Sequence, residues 1–498
     1  MKKMFLTKRY SFFFNAIGML FFVGVFLFFR FVFAADGSAW SSRWVMDTDL
    51  SAVSAPFIGA GANQMLGATG TVRIIYDVNG DGMADMMLGA PGYDGSATNT
   101  GKAYLVFGKT SGWSMNNALS SASSYDASFL GESEEDWLGN SMDGIGDVNR
   151  DGFNDVAVSA LFNDEAGTNV GQVYLLFGKS SGWQKDVVVS TTANASLLGA
   201  GNGAVLARNV SRAGDVNADG YSDFLLCDNT ADEAYTNGGS CYLVFGKSSG
   251  WVMDQSITDA SLSKVRFDGD EASALAGQSA AALGDVNGDG IGDFVIGASS
   301  HDGGQGSGAD RGEVYIFFGK SSGWSATGSV YVLSDASYIG EANSDFFGLE
   351  VSGVGDVNGD GLNDIAMSAQ GNDSVGRVYI VFGKTSGWSK RVSIAGADAS
   401  FRGETAGDLY GSALGSGDVN NDGYSDILTA SYRDDAADTD AGQAYIVLGR
   451  TSGWTTSTNI AAIATSSFWG EAASDLAGIG LSGGGDVNND GADDFLIG

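Results

Sequence analysis

Asp356-Val357-Asn358-Gly359-Asp360-Gly361-Leu362-Asn363-Asp364 is one copy of the string that decides the fold. The pattern Asp-Val-Asn-x-Asp-Gly-x-x-Asp also begins at Asp77, Asp147, Asp215, Asp285, Asp418 and Asp486, at intervals of 62 to 71 residues. Self-similarity at a fixed period marks a tandem array of supersecondary units. A second string, Phe-Gly-Lys-Ser/Thr-Ser-Gly-Trp, ends at Trp113, Trp183, Trp251, Trp324 and Trp388, with a looser copy from Leu448 to Trp454. Ser42-Arg43-Trp44 reads as its N-terminal vestige. The units run over about 44–112, 113–182, 183–250, 251–323, 324–387, 388–453 and 454–498.

Working outward from the aspartate string, each unit contains four short apolar or alternating runs bounded by Gly, Asp, Asn and Ser, the pattern of strands. Strand A precedes the string, as at 350–357, and strand B follows it, as at 293–297. Strand C carries Tyr104, Tyr174, Tyr242, Tyr315, Tyr379 or Tyr445, and strand D lies near Phe129, Tyr338 and Phe401. No unit sustains a helical period. Four antiparallel strands repeated radially make an all-β, seven-bladed β-propeller. A strand-D-like segment, Ala55-Pro56-Phe57-Ile58-Gly59, precedes the first strand A and is expected to serve the seventh blade. Strand C of that blade is missing before Gly498, so the last blade is expected to be truncated and the sequence to be a fragment.

Composition narrows the function. The 498 residues hold 26 Lys+Arg against 60 Asp+Glu, a net charge of −34. Nucleic-acid binding needs a basic footprint, which this chain lacks. Glycine is abundant at 76 and proline nearly absent at 2, which excludes collagen and fits many tight turns. With 44% hydrophobic and 11% aromatic residues, disorder is excluded too. The one histidine, His301, leaves little room for histidine catalysis or zinc, and its place in a loop predicts a solvated residue.

Lys2, Lys3, Lys8 and Arg9 precede a phenylalanine-rich apolar stretch at 12–33 that ends in Val32-Phe33-Ala34-Ala35. This is the layout of a signal peptide over residues 1–34, cleaved after Ala34 or Ala35. The stretch is also long enough for an uncleaved N-terminal anchor. Either way the remainder is exported, secreted or displayed on the cell surface.

The aspartate string is a metal-ligand pattern. Its proposed ligands are Asp77, Asn79, Asp81 and Asp85; Asp147, Asn149, Asp151 and Asp155; Asp215, Asn217, Asp219 and Asp223; and Asp285, Asn287, Asp289 and Asp293. The later loops supply Asp356, Asn358, Asp360 and Asp364; Asp418, Asn420, Asp422 and Asp426; and Asp486, Asn488, Asp490 and Asp494. Four oxygen-bearing side chains on a tight turn suit Ca²⁺, which takes about six to eight oxygen ligands. Up to seven ions are expected. Position 6 is always Gly, where a sharp turn demands positive φ, and position 2 is always Val, an inward anchor. An EF-hand needs an acid at position 12, but Leu88, Val158, Leu226, Ile296, Met367, Thr429 and Ile497 stand there. Ion-free Asx turns are the bland alternative. Three converging carboxylates would repel one another without a cation.

On these motifs the chain resembles FG-GAP repeat proteins, the family of the integrin alpha-chain N-terminal β-propeller and of exported bacterial proteins. The Phe-Gly element is matched at Phe347-Gly348 and loosely at Tyr410-Gly411. Gly-Ala-Pro is matched at Gly89-Ala90-Pro91, and less well at Gly297-Ala298-Ser299 and Ser368-Ala369-Gln370. The resemblance covers residues 44–498 and implies a calcium-bearing propeller for adhesion or ligand recognition outside the cell. No later integrin domain follows in this sequence, so integrin-type signalling is not expected.

Antiparallel order puts the A–B calcium loops and the C–D loops on one side, and the B–C and D–A loops on the other. The first side repeats nearly verbatim. The second varies, at 91–100, 228–238, 299–311 and 432–441, and varied loops on a rigid scaffold are where recognition is expected. The expected partner is an extracellular protein or glycan, with no nucleic acid, and with membrane only through the N-terminal anchor. Cys227 ends a strand B and Cys241 begins the next strand C, so a hairpin disulfide is expected in an oxidising compartment. Asp259-Ala-Ser261-Leu-Ser263 mimics a metal motif, but it precedes a strand D and reads as chance. The Ser-Gly-Trp tryptophans read as packing plugs between blades. A structural module of a larger surface protein and a propeller hydrolase or lyase are the alternatives to recognition. No cluster of His, Glu and nucleophile interrupts the repeats, so no catalytic residue is assigned.

Overall fold

Strand B needs to be apolar on both faces, because it lies mid-sheet with a neighbouring sheet packed on each side. The computed structural model describes residues 28–32 and 46–498, apart from 51–55, 62–63, 69, 115–116, 202–204, 305–308 and 325. In it strand B runs over Asp85–Ala90, Asp155–Ala160, Asp223–Asp228, Asp293–Ala298, Asp364–Ala369 and Asp426–Ser431, with every residue buried. Strands A and C flank it antiparallel and D follows C, so the chain order A-B-C-D is also the spatial order. The protein is an all-β propeller of predominantly antiparallel sheets.

The sheets have five strands, not the four expected. The fifth is a short parallel strand contributed by the next unit: Val187–Val188 pairs with Ala127–Leu130, and Gln255–Ser256 with Ala195–Leu198. Strand D would otherwise present a free edge of unpaired backbone groups, and a strap of two or three residues covers it. The strap follows each Ser-Gly-Trp turn, so the C–D connection of one unit reaches back over the previous blade. Thr48–Asp49 straps Ser466–Trp469 in the same way. Trp44 itself lies outside the described residues.

Six blades are built wholly from the repeats in this manner, against the seven expected. A further composite sheet joins both ends of the chain, in the order Leu481–Gly485, Asp494–Ile497, Phe28–Val32, Pro56–Ile58 and Asn117–Ala118. Pro56–Ile58 takes the strand-D place as expected. The strand-C place is not vacant, as truncation predicted: Phe28–Val32 fills it, pairing Phe31 with Leu496 and Phe29 with Phe57. That strand lies within the stretch that reads as a leader or anchor. The rest of residues 1–34, and Ala35, lie outside the described residues.

Core residues fill the spaces between sheets. Met87, Leu105 and Phe129 of one blade meet Val156, Val158 and Tyr174 of the next. Val487 and Leu496 likewise meet Val72, Leu88 and Tyr104, which brings the two ends of the chain into one cluster. The tryptophans plug these seams: Trp183 lies 6.2 Å from Phe107 and 6.4 Å from Phe129, both in the preceding blade. Its indole N–H donates to the Lys179 carbonyl at 2.8 Å while the Lys179 ammonium sits 4.8 Å over the ring. Cys227 and Cys241 face each other in the B–C hairpin and are disulfide-bonded.

Candidate functional site

Each aspartate loop connects strand A to strand B, and its first carboxylate folds it. Asp147 Oδ1 accepts the Asp151 N–H at 3.1 Å and Oδ2 accepts the Gly152 N–H at 2.9 Å. Asn149 Oδ1 accepts the Asp151 N–H at 2.8 Å, and Asp151 Oδ1 accepts the Phe153 N–H at 3.0 Å. The glycine at position 6 has positive φ in every loop, from 85° at Gly290 to 95° at Gly152, as its place in the turn demanded. Position 4 is also left-handed, at Arg150, Ala218, Asn421 and Asn489 as well as at glycines, and nothing in the string announced this.

Position 9 differs from the other proposed ligands. Asp85, Asp155, Asp223, Asp293, Asp364, Asp426 and Asp494 are fully buried at 0% exposure, because each opens strand B. Both oxygens of Asp155 are engaged: Oδ2 accepts the Val148 N–H and Oδ1 the Gly178 N–H, each at 2.9 Å. Gly178 belongs to the Phe-Gly-Lys turn, so this carboxylate ties the two repeated strings together. Burial pushes Asp155 up to about 7; its two backbone hydrogen bonds oppose this, and the charges of Asp151 and Asp147 add to it. Asp85, Asp223 and Asp426 are pushed up to about 8 for the same reasons.

The remaining ligands of each loop lie at its rim. Asn79 turns its amide toward Asp85 at 3.3 Å, as Asn287, Asn358 and Asn488 do toward Asp293, Asp364 and Asp494. Asn149 and Asn420 instead donate to Asp151 and Asp422, each at 3.0 Å. Among the described residues no group of three or more acidic, histidine or cysteine side chains is already arranged to hold a metal ion. The donor set nonetheless fits a hard cation. It is all oxygen, with mutually repelling carboxylates and a buried one whose ionisation costs free energy. Position 12 is buried strand in every loop, so no helix of an EF-hand follows.

Neighbouring loops are wired together. The Asn154 N–H donates to Asp77 O, Ser222 to Asp147 O, Asn363 to Asp285 O, Ser425 to Asp356 O and Asp493 to Asp418 O. Ala84 N–H donates to Asp486 O at 3.0 Å, joining the last loop to the first. The Phe-Gly-Lys turns lie on this same side, with Lys179 N–H on Val78 O and Lys320 N–H on Val216 O.

On the opposite side the B–C loops vary less than their sequences imply. Asp94, Asp164, Asp232 and Asp435 each accept the N–H of the residue five positions on, at 2.6–2.9 Å. The following D–A segment docks on this frame, as Glu135 N–H does on Thr98 O. One cavity here, of about 350 Å³, is lined by Tyr93, Lys102, Tyr104, Tyr125 and Asp186 among others. The Lys102 ammonium lies 4.6–5.2 Å from the centroids of the three tyrosine rings and pairs with Asp186, so the chain fills its own aromatic cage. His301 is not solvated: it is 1% exposed and surrounded by acidic side chains. Asp259 accepts the Ser261 N–H in a local turn.

Five segments of the chain match the FG-GAP repeat: residues 74–106, 140–176, 276–317, 347–381 and 410–447. These five segments carry FG-GAP repeats. The units around Asp215 and Asp486 fall outside those matches yet form the same loop. The chain is similar to integrin alpha chains. It is 32% identical to Mus musculus integrin alpha-IIb over 175 residues, which is 34% of this chain and 16% of the relative. It is 34% identical to Drosophila melanogaster integrin alpha-PS2 over 170 residues, 32% of this chain and 11% of the relative. To Homo sapiens integrin alpha-IIb it is 29% identical over 201 residues, 38% of this chain and 18% of the relative. The matched part thus spans less than a fifth of each relative. No helix of the described residues is long and apolar enough to cross a membrane.

Proposed function

We propose that this FG-GAP repeat protein is an exported, calcium-binding propeller that recognises a ligand through its B–C and D–A loops. The composite sheet acts as a seventh blade, so that seven calcium loops form a continuous ring on the other side. One observation carries the proposal. The same oxygen-donor loop, with a buried carboxylate at its ninth position, recurs in every unit of a chain that carries FG-GAP repeats and is similar in part to integrin alpha chains. Calcium would be held by positions 1, 3, 5 and 9 and would neutralise their mutual repulsion. Four of the B–C loops on the opposite face share one backbone frame and differ in side chains, which suits recognition without loss of the scaffold. The partner class is an extracellular protein or glycan.

Calorimetric titration of chelator-treated protein with calcium tests the metal assignment. Several equivalents should bind and the melting temperature should rise, since an ion bound only by the folded state stabilises it. No heat and no thermal shift would sink it. Exchanging residues 91–100, 228–238 and 432–441 for minimal turns should abolish binding on glycan and matrix-protein arrays. Loss of binding after changes in the Ser-Gly-Trp turns, with the exchanged loops still active, would place recognition on the wrong face.

A further inference from the structure

His301 is the one histidine of the chain, and it is buried at 1% exposure where three parts of the fold meet. Its Nε2 lies 3.3 Å from Asp270 Oδ1 and 3.7 Å from Glu271 Oε2, both on the segment leading into the fourth blade. Its Nδ1 lies 3.4 Å from Oε2 of Glu313, which opens strand C and is 0% exposed. Arg391, from the following unit, reaches both Asp270 and Glu313 at 3.3 Å. Tyr315 donates to Asp270 at 2.9 Å and Ser337 to Glu313 at 2.7 Å. Within the same loop Asp302 accepts the Ala309 and Asp310 N–H groups, and its own N–H is held by Glu271.

The hydrogen bonds do not balance around the ring. The Gly303 N–H donates to His301 Nδ1 at 2.8 Å, so that nitrogen is an acceptor and the imidazole is neutral, with its proton on Nε2. Glu313 Oε2 then faces a lone pair, and neither it nor Nε2 has a well-formed hydrogen bond although both are buried. Three carboxylates are set against the one guanidinium of Arg391. A second proton on the ring would repair this: Nδ1–H would serve Glu313, and the imidazolium would bring a second cation. It would also face the Gly303 N–H donor to donor, so Gly303 would have to leave.

We propose that His301 is a two-state pin whose Nδ1 exchanges the Gly303 amide for the Glu313 carboxylate, and so resets the B–C loop of the fourth blade. Gly303 and Gly304 have φ of 64° and 72°, a conformation in which glycine alone is unstrained and from which it can depart cheaply. Burial opposes charging His301, but the Asp270 carboxylate beside Nε2 and the charges of Glu313 and Glu271 outweigh it and hold the ring above the ordinary histidine range. The charged arrangement is therefore present at low pH and is lost as pH rises through that raised value. The effect on ligand binding rests on the function proposed above; the exchange itself does not.

A single histidine makes the test direct, because every imidazole signal in a ¹⁵N-labelled sample belongs to His301. The ring nitrogens and the Gly303 amide would be followed from about pH 5 to 9. Expected is one titration with a midpoint above about 6.5, seen at the same pH in the Gly303 amide. In Glu313→Gln the midpoint should fall, and Asp270→Asn should lower it independently should the first variant not fold. An imidazole that holds one state throughout, or titrates without moving Gly303, would overturn the proposal. No ligand enters the experiment, so a misplaced recognition face would leave its result unchanged.

Discussion

Asp155→Ala and Asp151→Ala remove two carboxylates of the same loop, yet their costs should differ sharply when no calcium is present. Asp155 is buried and accepts the Val148 and Gly178 N–H groups at 2.9 Å each. Alanine leaves both buried donors without a partner, at about 1–3 kcal/mol apiece, or about 2–6 kcal/mol for the pair. Relief of the desolvation that pushes Asp155 up to about 7 offsets part of this, so the lower half of that range is expected. Asp151 is exposed and accepts the Phe153 N–H at the rim, where water replaces it, so its loss should cost under about 1 kcal/mol. Urea unfolding in chelator, followed by tryptophan fluorescence, measures the difference. With calcium restored, both variants should bind one equivalent fewer than the parent. Equal costs in chelator would refute the claim that position 9 holds the loop to the Phe-Gly-Lys turn independently of metal.

The ninth-position carboxylates also set a pH dependence. The folded values of Asp85, Asp155, Asp223, Asp293, Asp364 and Asp426, near 7 to 8, lie far above the ordinary 3.8, so the folded metal-free protein holds extra protons. Their contribution to stability is full below about pH 4 and is lost as pH rises through 7 to 8. Chelated protein should therefore melt lower at pH 8 than at pH 5, and calcium should cancel or reverse the trend; a chelated protein that gains stability with pH would contradict it. Gly152→Ala should cost about 1 kcal/mol in thermal unfolding, because φ is 95° and an added Cβ meets nothing within 4 Å. Gly80→Ala should cost more, since its Cβ would lie 2.7 Å from the Phe153 ring of the next blade; equal losses would show that this inter-loop contact is unimportant. Removing residues 1–35 takes away Phe28–Val32 and leaves Asp494–Ile497 and Pro56–Ile58 without their shared neighbour. The shortened protein should melt lower or self-associate by sedimentation, and an unchanged monomer would show that the strand plays no part in the sheet.

The period, the strand order and the loop glycines were legible because each follows from local rules. Position 6 must turn, position 2 must point inward, and strand B must be apolar on both faces. Ser42-Arg43-Trp44 lies outside the described residues, but the residues after it repeat the pattern that follows the other Ser-Gly-Trp strings. Asp47 follows it as Asp186 follows Trp183, and Gln443 bonds Asp47 at 3.2 Å as Gln172 bonds Asp254 at 2.9 Å. The fifth strand was not legible, since two residues such as Val187–Val188 carry no period and pair only because the previous blade offers an edge. His301 was misjudged because a loop position implies solvent, whereas its surroundings come from Asp270 and Glu313 on other elements. The strand at Phe28–Val32 was hidden in a different way. Its apolar residues, interrupted only by Arg30, satisfy a leader, an anchor and a strand equally well.

By itself the sequence determined that this chain is a radial array of β-units with one oxygen-donor loop in each. Those properties depend on residues within a few positions of one another. Tertiary structure decided what those loops are tied to, from the buried Asp155 bridging two repeated strings to the Ala84 link that joins first loop to last. It also decided how the edges are covered, and that the lone histidine sits among carboxylates from two other elements. These depend on which distant segments the ring brings into contact, and burial then converts that proximity into hydrogen bonds and shifted protonation that no local pattern records.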